Sequence, residues 1–243
     1  MKKQMQGKRL TIMMAAGLLT MATMASSAYA YPESGLVAEW DTSGMAGTEA
    51  SLTGTGDSHI SLVELTRGAG LSGNAGANSM NTKGWNGTNT DDYIQFSLTV
   101  ESGFTATFGD FWIGTKSSST GPGTMGFYSS VDNYSNAFYT VIQDGTTYKN
   151  DTIDLSFLGP ISGSFSIRLY EIGDTQADGD GSTYSGGTFR VTDYTDTSGS
   201  SYIYYNIGIS GTVAPVSAVP VPAAAWLLGS GILGLIGLKR KEK

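Results

Sequence analysis

Three features of the sequence predict an all-β chain folded as an antiparallel β-sandwich of jelly-roll type. Short segments with alternating apolar residues recur along the middle of the chain. Gly, Ser, Thr, Asn and Asp punctuate them every few residues, and no helical period runs between Tyr31 and about Pro215. No Pro-rich or highly charged linker divides that stretch, so residues 31–215 are expected to form one domain. Two segments outside it read as apolar helices: a signal helix at the N-terminus and a single transmembrane helix at the C-terminus.

Residues 1–30 have the layout of a secretory signal peptide. Basic residues from Lys2 to Arg9 precede the apolar run Leu10 to Met24, and Ala28 and Ala30 place small side chains where signal peptidase requires them. Cleavage is expected before Tyr31.

In the body, Tyr93–Val100 puts Ile94, Phe96, Leu98 and Val100 on one face of a strand. Ile153, Leu155 and Phe157 alternate likewise, as do Phe165, Ile167 and Leu169. A last run aligns Ile203, Tyr205, Ile207, Ile209 and Val213. Weaker strands are expected at 36–40, 60–65, 104–113, 124–129, 138–143 and 188–192.

At the far end, Val219-Pro220-Val221-Pro222 leads into the apolar, Gly-rich stretch Ala223–Leu238, closed by Lys239, Arg240, Lys241 and Lys243. Pro222 suits a helix start. Sixteen helical residues would span ~24 Å, somewhat short of a ~30 Å hydrocarbon core. The basic tail fits cytoplasmic headgroups, and the glycines would let another helix approach closely.

Composition excludes much chemistry. The chain has 243 residues with no Cys and one His, so disulfides, thiol nucleophiles, Cys-ligated zinc and multi-histidine metal centres are gone, and only His59 could serve as the base of a triad. Between Tyr31 and Pro222, six basic residues face twenty acidic ones, a formal charge of −14 that repels nucleic acid.

Several residue groups remain as candidates. The loop Asp174–Gly181 carries Asp174, Asp178 and Asp180 among glycines, oxygen ligands that would suit Ca²⁺, but it lacks EF-hand spacing and a closing Glu, and a solvated hairpin loop is the plainer reading. Otherwise no cofactor is expected. Arg67, Trp85 and Tyr93 could form a sugar platform, with aromatic faces for the ring and a guanidinium for the hydroxyls; packing against the sheet is the competing reading for Trp85 and Trp112. Glu39 and Asp41, at i and i+2, share one side of a strand and could act as a glycosidase pair, or be surface charge. His59 reads as a rim histidine. Gly68-Ala69-Gly70 reads as a turn, because no helix follows it to cradle a phosphate.

The tail, taken as Val219-Pro220-x-Pro222-Ala223 with Trp226, the Gly-rich segment and the basic cap, resembles the PEP-CTERM class of sorting signals in its VPLPA-type variant, departing at Val221 where Leu is usual. The resemblance implies a sorting domain over 216–243. It also implies recognition by an exosortase, a membrane-embedded Cys-dependent enzyme of Gram-negative bacteria that would cut near the prolines and pass the chain to the cell surface or extracellular matrix. The body is similar to a recurring extracellular domain found with such tails, carried by Leu65–Leu71, Asn78–Asn81, Gly84-Trp85, Asp92–Phe96, Ser118–Gly123, Tyr128–Ser130 and Gly187–Val191; this implies a β-sandwich without an assigned activity. The expected role is therefore a non-enzymatic, exported surface or biofilm-matrix protein. Its expected partners are signal peptidase, exosortase, the inner membrane and an exopolysaccharide. A secreted glycan hydrolase and a purely structural matrix protein are the alternatives.

Overall fold

The computed structural model describes residues 35–87, 90–196 and 202–216. The signal segment with Ala28, Ala30 and Tyr31, and the tail with Val219–Pro222 and its basic cap, lie outside them. Among the described residues no helix is long and apolar enough to cross a membrane.

The strands are β1 (Leu36–Trp40), β2 (Ser51–Thr53), β3 (Thr55–Gly56), β4 (Ile60–Arg67), β5 (Ser72–Gly73), β6 (Met80–Lys83), β7 (Tyr93–Val100) and β8 (Phe104–Ser117). They continue with β9 (Thr124–Ser129), β10 (Ala137–Ile142), β11 (Lys149–Asp154), β12 (Gly163–Glu171), β13 (Thr188–Thr192), β14 (Tyr194–Asp196), β15 (Ile203–Tyr205) and β16 (Ile207–Pro215). Two 3₁₀ turns, Ser130–Asp132 and Ser156–Leu158, are the helical pieces among the described residues.

One sheet has eight strands in the order β3-β1-β16-β8-β13-β6-β5, with β11 also on β8; the other has six, β10-β9-β12-β7-β4-β2. The long β8 organises the first. Strand β11 pairs with 110–115 of β8, while β16 pairs with 104–112 and β13 with 114–117. Because β11 overlaps both of the others, it must take the opposite edge, and β16 and β13 lie end to end along one edge. With β4, β13 and the short strands set aside, the fold holds two four-stranded sheets, β1-β16-β8-β11 and β7-β12-β9-β10, between which the chain crosses repeatedly.

The sheets close on a shared core. Trp40 of β1 meets Phe96 of β7 at 5.0 Å, Phe96 meets Phe111 of β8 at 5.3 Å, and Phe108 of β8 meets Phe165 of β12 at 4.8 Å. Each pair joins one sheet to the other, mostly edge to face, the geometry aromatic quadrupoles favour. The chain is thus a sandwich of antiparallel sheets. Strand β7 forms as its alternation predicts, with Ile94, Phe96, Leu98 and Val100 buried and their neighbours outside.

Two expected strands differ. The run 203–213 is two strands: β15 pairs with β14 in a separate hairpin, and only β16 enters the main sheet. The break is set by Trp112, whose indole lies over Gly208, where a Cβ would come within 2.4 Å of the ring. Its Nε1–H donates to the Asn206 carbonyl at 2.6 Å. A bulge at Gly211 (φ +151°) then shifts the register. The alternation through Ile153, Leu155 and Phe157 also stops early. The Asp154 carboxylate accepts from the Ser156 N–H at 2.8 Å and starts a 3₁₀ turn, leaving Phe157 exposed.

Candidate functional site

The sugar platform expected from Arg67, Trp85 and Tyr93 does not form. Trp85 is 0% exposed, packed edge-on against Phe189 of β13 at 5.8 Å, with its Nε1–H donating to Thr82 Oγ1 at 3.1 Å. A ring enclosed by core cannot offer a face to a ligand. Arg67 donates to the Thr48 and Gly47 carbonyls at 3.2 and 3.3 Å, holding the 47–48 loop to the end of β4. Burial lowers its pKa, against the opposing charge of Glu49.

Tyr93 goes elsewhere, to the outer face of the six-stranded sheet. Alternation that turns Phe165, Ile167 and Leu169 of β12 inward turns Arg168 and Tyr170 outward, and in β7 it turns out Tyr93 and Gln95. The register sets Arg168 opposite Gln95 on one side and Tyr128 of β9 on the other, and Tyr170 opposite Tyr93. The Arg168 guanidinium lies 4.0 Å from the Tyr93 ring centroid and 4.2 Å from that of Tyr134. Its Nε–H donates to Gln95 Oε1 at 2.7 Å and Nη1 to the Tyr170 hydroxyl at 3.0 Å. Burial works against the charged form, but the Tyr170 bond and the facing phenols outweigh it and raise the pKa. The fork is fixed in place and in charge, and the N–H groups of Nη2 keep no partner among the described residues.

Tyr134 reaches Arg168 through an unusual backbone. Asn133 (φ +57°) and Tyr134 (φ +56°) are both left-handed, directly after the first 3₁₀ turn. For a bulky residue this conformation costs on the order of 1–3 kcal/mol, and it clusters at functional positions. The Asp132 carboxylate holds the loop, accepting from the Ser135 and Asn136 N–H groups at 3.3 and 3.1 Å, and the Tyr134 hydroxyl pairs with Ser166.

A shallow groove of about 520 Å³ opens beside this cluster, lined by Tyr128, Asn133, Tyr134, Arg168, Tyr170 and two acidic residues, Asp91 and Glu171. Burial pushes the Glu171 carboxyl up to about 7. Bonds from the Thr183 hydroxyl and the Gly87 N–H pull it down and fall short, while the charges of Asp174 and Asp92 add to the rise. The groove therefore offers fixed guanidinium donors, phenol rings and hydroxyls, and one carboxyl that carries its proton part of the time near neutrality.

The remaining candidates are each bonded within their local structure. Glu39 accepts from Thr55 Oγ1 at 3.0 Å and Asn206 Nδ2 at 3.2 Å, and Asp41 accepts from the Ser43 N–H at 2.8 Å; each is tied into local structure rather than to the other. In the acidic loop, Asp174 accepts from the Thr183 N–H and Asp178 from the Asp180 N–H, both at 3.0 Å. No group of three His, Cys, Asp or Glu side chains converges on a cation position among the described residues. His59 is the expected rim residue, stacked on Phe104 at 3.6 Å and 3.2 Å from Glu101.

Sequence reasoning missed Arg168, Tyr128, Tyr134 and Tyr170. The outward Arg-x-Tyr of β12 and Tyr-x-Gln of β7 were the available signal, but which strands lie side by side was not. The chain matches no family model, no curated protein and no solved structure, so any functional reading rests on the residues themselves.

Proposed function

We propose that the chain is an exported surface or matrix protein that holds exopolysaccharide on its Arg168 face and catalyses no reaction. The signal segment 1–30 would deliver it and the apolar stretch 223–238 would hold it in the inner membrane. An exosortase acting near Val219–Pro222 would pass it to the cell surface of a Gram-negative bacterium. The body is read as a jelly roll, supported by the orders β1-β16-β8-β11 and β7-β12-β9-β10 with the chain alternating between them.

One observation carries the binding role: an outward arginine held between two tyrosines, with guanidinium hydrogens left over beside an open groove. Sugar hydroxyls and carboxylates accept well from such a fork, and phenol rings and hydroxyls flank it. Co-sedimentation of the full chain with the producing cell's extracellular polysaccharide tests this: retention should fall about ten-fold in Arg168→Gln. Equal retention by that variant rejects the site. Retention by neither protein, together with self-association, favours a structural matrix role. For sorting, deleting Val219–Pro222 should leave the chain in the inner-membrane fraction, and unchanged surface delivery would refute exosortase handling.

A hydrolase is the second reading, favoured by the elevated Glu171 carboxyl in the groove, since glycosidases use such a group as general acid. Turnover of the same polysaccharide that disappears in Glu171→Gln would establish it; retention without turnover returns the reading to binding.

A further inference from the structure

A second tyrosine-rich surface lies on the eight-stranded sheet's side of the molecule. A cleft of about 790 Å³ there is lined by Tyr148, Tyr202, Tyr204, Asn78, Asn150 and Asp193, together with small polar neighbours. We propose that this cleft is a separate saccharide-binding site that takes a neutral oligosaccharide chain: the rings of Tyr202 and Tyr204 stack on sugar faces, and the side-chain amides of Asn78 and Asn150 donate to sugar hydroxyls.

The rings are available. Tyr202 and Tyr204 are 71% and 72% exposed, and neither makes a ring contact with another aromatic residue among the described residues. Standing at i and i+2 on and beside β15, they point to the same side, about 7 Å apart along the strand, a spacing that presents two faces to one extended chain. Tyr148 is also exposed, and Lys116 lies 4.7 Å over one side of its ring.

The amides are oriented by the fold. Asn78 Oδ1 accepts from the Gly44 N–H, and Asn150 Oδ1 accepts from the Thr195 N–H, both at 2.8 Å. With each oxygen held by a backbone donor, the NH₂ group is the end left for a ligand, and neither NH₂ takes a partner among the described residues. Asn78 is held in the left-handed region (φ +54°), where its backbone carbonyl accepts from Thr192 Oγ1 at 2.8 Å. The site is therefore set before any ligand arrives.

Neutrality follows from the charges that face the cleft. Asp193 is its anion: Oδ1 accepts from the Thr42 N–H at 3.0 Å and from Thr42 Oγ1 at 2.7 Å, while Oδ2 has a single 3.3 Å contact with Ser43 and can accept from a further hydroxyl. Lys116 is engaged with the Tyr148 ring, and among the described residues no arginine lines the cleft. With a body of formal charge −14 around it, a uronate or sulfated sugar would meet repulsion without a fork to receive it. The inference stands independently of the Arg168 face and of export.

The test uses the full chain in detergent with an immobilised panel of neutral hexaoses (gluco-, manno-, galacto- and xylo-configured) and a galacturonate hexamer. At least one neutral probe should be retained, and its retention should drop about ten-fold in the double variant Tyr202→Ala/Tyr204→Ala. Asn150→Asp, which keeps the acceptor for the Thr195 N–H and removes the donor, should weaken retention as well. Arg168→Gln should leave it unchanged. The cleft is refuted if no neutral probe is retained, or if retention survives the double variant. A neutral probe lost only in Arg168→Gln belongs to the other face: that outcome overturns this site while leaving the Arg168 reading intact.

Discussion

On the outer face of the six-stranded sheet, Tyr93 and Tyr134 turn their rings onto Arg168; in the cleft of the other sheet, Tyr202 and Tyr204 turn theirs to solvent. The same residue type therefore does two kinds of work. Around Arg168 the phenols position a cation, and the proposed recognition falls to the guanidinium hydrogens that remain. In the cleft the rings are themselves the proposed recognition surface, and what backbone bonds from Gly44 and Thr195 position is the pair of amides beside them, Asn78 and Asn150. A tyrosine in the first setting should matter to stability and binding together, and one in the second to binding alone. That separation of effects is what substitutions can break or sharpen.

The largest effect belongs to a residue in neither surface. Trp85→Ala removes a fully buried ring and its bond to Thr82 and should cost about 3–5 kcal/mol, lowering the melting temperature by about 10 °C. A stable Trp85→Ala protein with selectively weakened saccharide retention would return Trp85 to the binding surface. Next comes Arg168→Ala, which strips two rings of their cation and leaves Gln95 and Tyr170 without their shared donor. A loss of about 2 kcal/mol is expected, seen as a melting temperature lower by about 6 °C. If Arg168→Ala melts like the parent, the cluster is not the fixed assembly described here.

How far these features could be read from the sequence depends on whether one face of a strand is buried. Strand β7 falls where alternation places it, and β13 where a weaker strand is expected, because burial of one face imposes a period of two. Strands β2, β3 and β5 are two or three residues of mostly Ser, Thr and Gly, too short to carry a period, and their pairing is set by neighbours distant in sequence. The burial of Trp85 depends on Phe189, more than a hundred residues away. Arg168 and Tyr93 were each legible as outward residues; their meeting depends on the β7–β12 register, which no local pattern encodes.

A smaller effect is expected from pH. The folded-state pKa of Glu171, about 7, lies above the ordinary carboxylate value, so between about pH 4.5 and 7 the folded chain keeps a proton that the unfolded chain has released. Stability from this group is thus present at mildly acid pH and declines as pH rises through that window. Burial raises Asp193 and Asp151 in the same direction. Glu171→Gln should flatten the slope, raising the melting temperature at pH 7.5 relative to the parent by about 3 °C after allowance for partial exposure. Parallel pH profiles for the two proteins would show that the carboxyl is ordinary, and would remove the observation favouring a hydrolase.

The smallest stability effect should come from Tyr204→Ala, and it tests the contrast most directly. The ring is 72% exposed, makes no aromatic contact among the described residues, and lies on a hairpin strand whose pairing with β14 uses backbone groups that alanine retains. Alanine has the lower β-propensity, but at an exposed site the change should stay within about 0.5 kcal/mol, a melting shift of about 1–2 °C. Two-stranded hairpins are marginal alone, and this one is tied to β11 through Thr195 and Asn150 and through Tyr194 and Thr152. A neutral oligosaccharide bridging Tyr204 and Asn150 should therefore slow amide exchange in β14 and β15 in the parent and not in Tyr204→Ala. Should the substitution melt the chain several degrees early, Tyr204 would be packing against the body as Tyr93 does, and the distinction between the two surfaces would fail at its clearest point.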